Sequence, residues 1–395
     1  MAAAAVVACG TAAADTPGLK VIDPAELKRE MEGLARELGL PGAMFLLSTP
    51  QGDVVFGYGT NELGKADPPR ADTHFRAASN TKTMTAAVIV QMAEEGRLGL
   101  DDPVSAYVEG VPEGDRITLR MLLTMRSGLF NFTDAPELAA SLDADPGKVW
   151  TAAEVLGMAF ARPPAFAPGA AYAYNNTNYY LLGLVAEKVD GKPLAAVFRE
   201  RLFRPLGMRD TALPAPGSVA LPEPLAHGYI YGGPGYALVD APYPAELVAA
   251  AKAGALAPED ATWQNPSAYF AAGGVISTAD DLATWMEALV GGRALDAAFQ
   301  KQWLESPEAP VPGEPAMQKY GFGILTLGWG SNTIYYHEGE MPGYQSFMGR
   351  DPVNDVTLVI WTNLTLDLDG APTANTLMVK ALDEIYAFSP LDAAR

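Results

Sequence analysis

A chain of 395 residues is longer than one hydrophobic core comfortably fills, so one large or two intergrown domains are expected. With 49% hydrophobic and 19% charged residues it has the composition of a globular protein, which excludes a disordered chain. Forty-seven acids against 27 bases give a net charge of −20, a field that repels polyanions and excludes nucleic acid as a partner. No apolar run reaches spanning length, and no basic helix face argues for electrostatic docking on a membrane.

Taken in chain order, Asp23-Pro24 opens a helix over about 24–38, with Leu27, Met31, Leu34 and Leu38 on one face and Gly39 behind them. Residues 43–49 and 54–58 read as a β-hairpin around Pro50-Gln51-Gly52-Asp53. A short extended run, Thr73-His74-Phe75-Arg76, leads into a helix that carries Met84, Val88, Met92 and Ala93 and stops at Gly96. From there to about 265 the signals are mainly helical: 117–124, a capping box at Thr151-Ala152-Ala153-Glu154, then 179–189 and 194–203. The Pro/Gly/Ala-rich stretch 212–262 reads as a long irregular excursion of the kind that shapes a cleft. Residues 271–277 read as a strand, Ser277-Thr278-Ala279-Asp280 as the cap of a helix to about Leu289, and strands follow over 320–327, 333–337, 344–349 and 356–362 before a closing helix over 374–387. Strands joined by short turns pair antiparallel. The fold class is therefore α+β: an antiparallel sheet built from both ends of the chain, flanked by the terminal helices, with a mostly helical region inserted. Residues 1–20 are set aside as a leader, 21–78 and 266–395 form the sheet domain, and 79–265 the helical domain.

Three stretches carry chemistry. Ser79-Asn80-Thr81-Lys82 places a serine and a lysine one helical turn apart, within nucleophile-to-base reach, at a helix start that favours developing negative charge. Such a pair arises by chance often enough that alone it is weak. Tyr174-Asn175-Asn176 and His337-Glu338-Gly339 complete the set. The bland readings are that Tyr174 packs with Tyr172, Tyr179 and Tyr180, and that His337 is a satisfied group at a strand end; His74 and His227 have only that structural reading. A zinc-protease reading of His337-Glu338 fails because Met341 stands where the second histidine is needed, and no Gly-x-Ser-x-Gly is present. No metal and no organic cofactor is expected.

Ser79-x-x-Lys82, Tyr174-x-Asn176 and His337-x-Gly339, in that order, resemble the motifs of the penicillin-recognising serine hydrolases: class C β-lactamases, serine D-Ala-D-Ala carboxypeptidases, family VIII esterases and D-aminopeptidases. The resemblance runs over about residues 25–388 and includes 75–78, 122–129, 179–183 and Ala272-Gly273-Gly274. It implies a β-lactamase/transpeptidase-like fold and Ser79 as the nucleophile that forms an acyl-enzyme. Either Lys82 or Tyr174 could take the serine proton; our reading puts Tyr174 as base with Lys82 holding positive charge, and the choice stays open. Asn176 would orient Lys82 and bind the substrate amide, and the N–H groups of Ser79 and Glu340 would form the oxyanion hole.

The sequence departs from the family where a substrate carboxylate is held. Glu338 and Glu340 replace hydroxyl-bearing residues, and Leu325 and Thr326 stand where carboxypeptidases carry an arginine. The substrate implied is a small ester, amide or peptide without a free carboxylate at the leaving end, bound by Asn176, Glu338, Gly339 and Glu340. A D-Ala-D-Ala carboxypeptidase or β-lactamase is the nearest alternative, and a silent cell-wall binding or scaffold protein the alternative of another class. Met125, where many relatives have histidine, is expected to matter only for packing. The single cysteine excludes an internal disulfide, and Val6-Val7-Ala8-Cys9-Gly10 resembles a bacterial lipobox. That resemblance implies an extracytoplasmic protein, attached to a membrane, if at all, through a lipidated Cys9.

Overall fold

The computed structural model describes residues 18–387 apart from 239, 240, 312 and 315. Cys9 and the leader therefore lie outside the described residues. Helix α1, Pro24–Glu37, starts where Asp23 accepts the N–H groups of Ala25 and Glu26, and it buries Leu27, Met31 and Ala35. Strands β1, Gly42–Thr49, and β2, Gly52–Gly59, form the expected hairpin. Five further strands follow late in the chain: β3, Gln318–Tyr320; β4, Leu325–Trp329; β5, Asn332–Met341; β6, Tyr344–Asp351; and β7, Val356–Thr362.

All seven pair antiparallel in the order β2-β1-β7-β6-β5-β4-β3, so the N-terminal hairpin closes against the last strand. Both faces of the sheet are covered, which is why β7 reads Val-Thr-Leu-Val-Ile-Trp-Thr with every residue buried rather than alternating. Phe45, Leu47, Leu358 and Ile360 pack with Leu27 and Met31 of α1 and with Leu377 and Leu382 of the closing helix Thr373–Ile385. Met44, Leu46, Val359 and Trp361 face the opposite way into a second core with Trp285, Met286 and Leu289 of the helix Ala279–Val290.

That second core continues into the inserted helices around α2, Thr81–Glu94. Residues 81–90 of α2 are all buried, and the helix shows no single apolar face because it has neighbours all round. Its buried threonines survive by bonding: Thr81 donates to Ala78 O, Thr83 to Asn80 O and Thr85 to Ala271 O. Helix α3, Asn176–Asp190, runs beside α2, capped by Asn175. Gly183 lets it approach the 270–273 segment so closely that a Cβ would stand 2.3 Å from that of Ala271.

Three local expectations change. Residues 271–277 are not one strand: Phe270–Gly273 is a helical turn whose carbonyls serve α2, and only Ile276–Ser277 pairs, with Phe75–Arg76. The helix expected over 117–124 is the short segment Leu119–Leu123, because Thr118 caps it. Within the excursion 212–262 stands a helix, Ala245–Lys252, that buries none of its residues and so leaves no periodic signal. The excursion itself is pinned by Arg76, whose buried Nη2 donates to the carbonyls of Val219, Thr262 and Gln264.

Candidate active site

Ser79 lies in a tight turn, Ala78–Asn80, that precedes α2, and it is the one partly exposed residue in an otherwise buried run from Thr73 to Val90. Ala78 adopts φ +49°, a left-handed conformation that costs a non-glycine residue about 1–2 kcal/mol. Two other non-glycine residues in this conformation also hold the site: Met125 at +61° and Phe270 at +39°. Met125 does more than pack, since its carbonyl accepts the N–H of Ala173 and its Sδ that of Asn175 at 3.3 Å, fixing the segment that carries Tyr174.

Lys82 is fully buried, and its Nζ sits 2.9 Å from Ser79 Oγ, 2.7 Å from Asn176 Oδ1 and 2.7 Å from the carbonyl oxygen of Ala272. No carboxylate is within salt-bridge distance of it among the described residues, and burial holds its pKa well below the ordinary lysine value. Tyr174 moves the other way. Burial of its hydroxyl raises its pKa well above the usual phenol value, the bond with Ser79 offsets only part of this, and the Glu338 carboxylate adds to the rise. The ring itself is 37% exposed along the cleft and lies 4.8 Å from Lys82 Nζ, so the enclosure is local to the hydroxyl. These directions reverse the expected charges: the surroundings favour a neutral Lys82 and a protonated Tyr174.

The neutral lysine also fits its three contacts. An ammonium would donate to all three oxygens, whereas an amine donates to the two carbonyl-type oxygens and keeps its lone pair for the Ser79 hydroxyl. Asn176, the first residue of α3, is in turn held by Asn131 Oδ1, which accepts its N–H at 2.9 Å, and by Thr133 Oγ1, which accepts from its Nδ2 at 2.9 Å.

His337 is brought near the others but not to the cleft. It is completely buried behind Tyr174, ring centroids 6.3 Å apart, and its Nε2 stands 3.5 Å from the Tyr320 hydroxyl. Burial first, then the charge of Lys82 when protonated, lowers its pKa to about 3, so it is a neutral supporting ring, not an acid or base exposed to substrate. Gly339 likewise does not line the cleft. It faces the nucleophile turn so tightly that a Cβ would stand 2.2 Å from Ala77 O, and beside it Asn80 donates to Ser346 Oγ at 2.8 Å. The expectation that both glutamates line one subsite also changes. They share a strand face, but Glu338 is engaged by Asn375 Nδ2 of the closing helix, and Glu340 alone opens to the cleft. Enclosure by the cleft and the Glu338 charge raise Glu340 to a pKa of about 7, although the residue as a whole is exposed to solvent.

The cleft measures about 660 Å³. Its lining includes the polar Asn131, Thr133, Asp134 and Asn176 and the apolar Leu238, Pro242, Met341 and Pro372, with Tyr236 from the excursion. Asp134, Glu340 and Asp369 line it, and no lysine or arginine is among the described residues that do. Asp369 has Lys252 as a partner at 3.3 Å. Among the described residues no group of histidine, cysteine and carboxylate side chains could hold a metal ion.

The Beta-lactamase family model matches residues 27–383, from α1 to the closing helix. The chain belongs to the beta-lactamase family. It is 26% identical to Protein flp of Staphylococcus aureus (strain MW2) over 332 residues, covering 82% of this chain and 60% of the relative, so it spans about three fifths of that protein's length. Among solved structures it resembles a D-stereospecific amidohydrolase from Streptomyces sp., at 28% identity and TM-score 0.76, covering 91% of this chain and 98% of the other. It also resembles the D-amino acid amidase from Ochrobactrum anthropi SV3 in complex with L-phenylalanine amide, at 26% identity and TM-score 0.74, covering 91% and 97%. Members of the beta-lactamase family such as these amidases are serine hydrolases, and the fold is the β-lactamase/transpeptidase-like one that the three motifs implied.

Reading the sequence missed Thr133, Asn131 and the Ala272 carbonyl. Ala272-Gly273-Gly274 entered only as part of the family resemblance, because a backbone acceptor leaves no side-chain signature, and nothing in the local pattern distinguishes Thr133 from a loop threonine.

Proposed function

We propose that the protein is a serine hydrolase that cleaves small amine-bearing amides or esters, D-amino acid amides being the class that fits best, through an acyl-enzyme on Ser79. The observation that carries this reading is the place of Lys82 Nζ, 2.9 Å from Ser79 Oγ with its other two contacts taken by carbonyl-type oxygens. Neutral Lys82 takes the Ser79 proton as Oγ forms its bond to the substrate carbonyl carbon. The N–H groups of Ser79 and Glu340 receive the oxyanion, which becomes a carbonyl again as the C–N or C–O bond breaks. The proton passes from Lys82 through the Tyr174 hydroxyl to the leaving amine or alkoxide. Water then attacks the acyl-enzyme, gives a proton back along the same path, and Ser79 Oγ leaves as the hydroxyl. His337 keeps the Tyr174 ring in place, and Gly339 keeps β5 against the nucleophile turn.

The cleft supports the substrate class. Carboxylates without a lysine or arginine among the lining residues disfavour an anionic leaving group and favour an ammonium, and the apolar part of the lining suits an uncharged side chain. The likeness to a D-stereospecific amidohydrolase and a D-amino acid amidase supports the choice of amides.

The test is kcat/KM for D-phenylalanine amide, its N-acetyl counterpart and a D-alanyl-D-alanine peptide with a free carboxylate, with Ser79→Ala as control. The amide is expected to be the best substrate, and N-acetylation to reduce kcat/KM several-fold. If the free acid is the best substrate, the carboxypeptidase reading takes its place.

A further inference from the structure

Asn176 holds Lys82, and the question is what holds Asn176. Its Oδ1 lies 2.7 Å from Lys82 Nζ and its Nδ2 lies 2.9 Å from Thr133 Oγ1. Thr133 is 8% exposed and comes from the turn Phe132–Asp134, which interlocks with the first turn of α3: Phe132 N–H donates to Thr177 Oγ1, and Thr177 Oγ1 donates to Phe130 O. Asn131 closes the turn on itself by donating to Asp134 Oδ1 at 2.8 Å. The hydroxyl of Thr133 is thus carried on a fixed frame, not a loose loop.

An asparagine amide is not symmetrical toward a group that gains and loses a proton. An ammonium needs the carbonyl end of the amide, while an amine can equally accept from the Nδ2–H end. A hydroxyl on the far side of the amide both donates and accepts, so it satisfies whichever end is turned to it. Valine, of the same shape, satisfies neither.

We infer that Thr133 is a positioning residue that keeps Asn176 matched to Lys82 in both of its protonation states during the catalytic cycle. The inference rests on the reading of Lys82 as the group that takes the Ser79 proton. Around Lys82 the other titratable groups are Tyr174 and Tyr179, whose rings lie 4.8 and 5.8 Å from Nζ, and the buried His337. The surroundings favour the neutral form of all three, the tyrosines protonated and His337 deprotonated, so the amide contact is the polar side-chain contact to Lys82, besides Ser79, that can follow its charge.

Without the Thr133 hydroxyl the far end of the Asn176 amide has no partner in either orientation and the amide is held less firmly on Lys82; the ammonium, which needs the carbonyl end, loses more support than the amine, and the acid limb of activity moves to lower pH while kcat falls. The experiment is the pH profile of kcat and kcat/KM for Thr133→Val, Thr133→Ser and Lys82→Ala beside the wild type, with a D-amino acid amide and a p-nitrophenyl ester. Thr133→Val is expected to lower kcat about tenfold with KM little changed and to shift the acid limb down by about half a pH unit; Thr133→Ser restores both. A Thr133→Val profile that overlays the wild type, or an unshifted profile with a loss that serine does not restore, overturns the inference. If Lys82→Ala keeps its activity, the underlying reading of Lys82 fails instead, whatever Thr133 does.

Discussion

Lys82 and Tyr174 have pKa values driven in opposite directions by the same cause, the low polarity of their surroundings. Their roles are joined through Ser79, which contacts both. Lys82→Ala, Tyr174→Phe and the double variant are therefore expected to lose kcat to a similar degree, by about 10³ or more, because residues acting as one unit are grossly non-additive; losses that multiply in the double variant would mean separate roles. With a neutral Lys82 taking the Ser79 proton, as proposed, activity is expected to rise with pH through its lowered pKa. His337 has a consequence for stability. It titrates near 3 in the folded chain against about 6.5 when unfolded. Between those values the unfolded chain binds the extra proton, so stability that is fully present above 6.5 is lost as the pH falls toward 3, by up to about 1.4 kcal/mol per pH unit. Urea unfolding at pH 7, 5 and 4 should show His337→Asn with a shallower acid loss than the wild type; equal slopes would contradict the buried neutral ring. Glu340 would act on specificity in the same sense of pH. Its carboxylate forms as the pH passes about 7, so the preference for a substrate with a permanently charged N-trimethylammonium group over its N-acetyl analogue should grow between pH 6 and 8, and grow less in Glu340→Gln. A charge contact of this kind in a wet cleft is worth about 1 kcal/mol, a several-fold ratio.

At the scale of elements, the site exists because β5 is pressed against the turn in front of α2. Beyond Tyr336 the strand has no partner in β4, and that free length, 337–341, is what meets the nucleophile turn. Gly339→Ala puts a methyl group 2.2 Å from a backbone oxygen that cannot step aside, so a loss of about 1–3 kcal/mol in thermal unfolding together with a fall in kcat is expected; normal activity would show that the contact is not needed. Much of this frame was legible in the sequence. Asp23-Pro24 marked α1, Thr151 with Glu154 marked a capping box whose two bonds are both present, and Gly52 marked the hairpin turn. What was not legible depends on tertiary packing. The exposed helix Ala245–Lys252 has no buried face to give a period, and the turn Phe270–Gly273 is helical because its carbonyls are drawn to Lys82 and Thr85. At the site, the motif residues came together as their order implied, but the protonation states did not follow from them, because burial decides those and spacing does not.

Over the whole molecule, the sheet is assembled from the two ends of the chain and the cleft lies where the inserted helices and the excursion meet its β5 edge. Arg76 makes that meeting durable by tying two carbonyls of the excursion, Val219 and Thr262, and that of Gln264 just beyond it to the strand that leads into the nucleophile. A net charge of −20 sets the sign of the field that an arriving ligand meets, so the rate at high salt should fall for amine-bearing substrates more than for neutral ones. The proposed hydrolysis stands on one bond, the ester between Ser79 Oγ and the acyl group. Intact-mass and peptide-mapping mass spectrometry after quenching with a slowly hydrolysed p-nitrophenyl ester, or after a fluorophosphonate, measures it directly. The account predicts one adduct per chain, on Ser79, formed at a much reduced rate in Lys82→Ala and absent in Ser79→Ala; an adduct on another residue, or turnover with no adduct on the wild type, would contradict it.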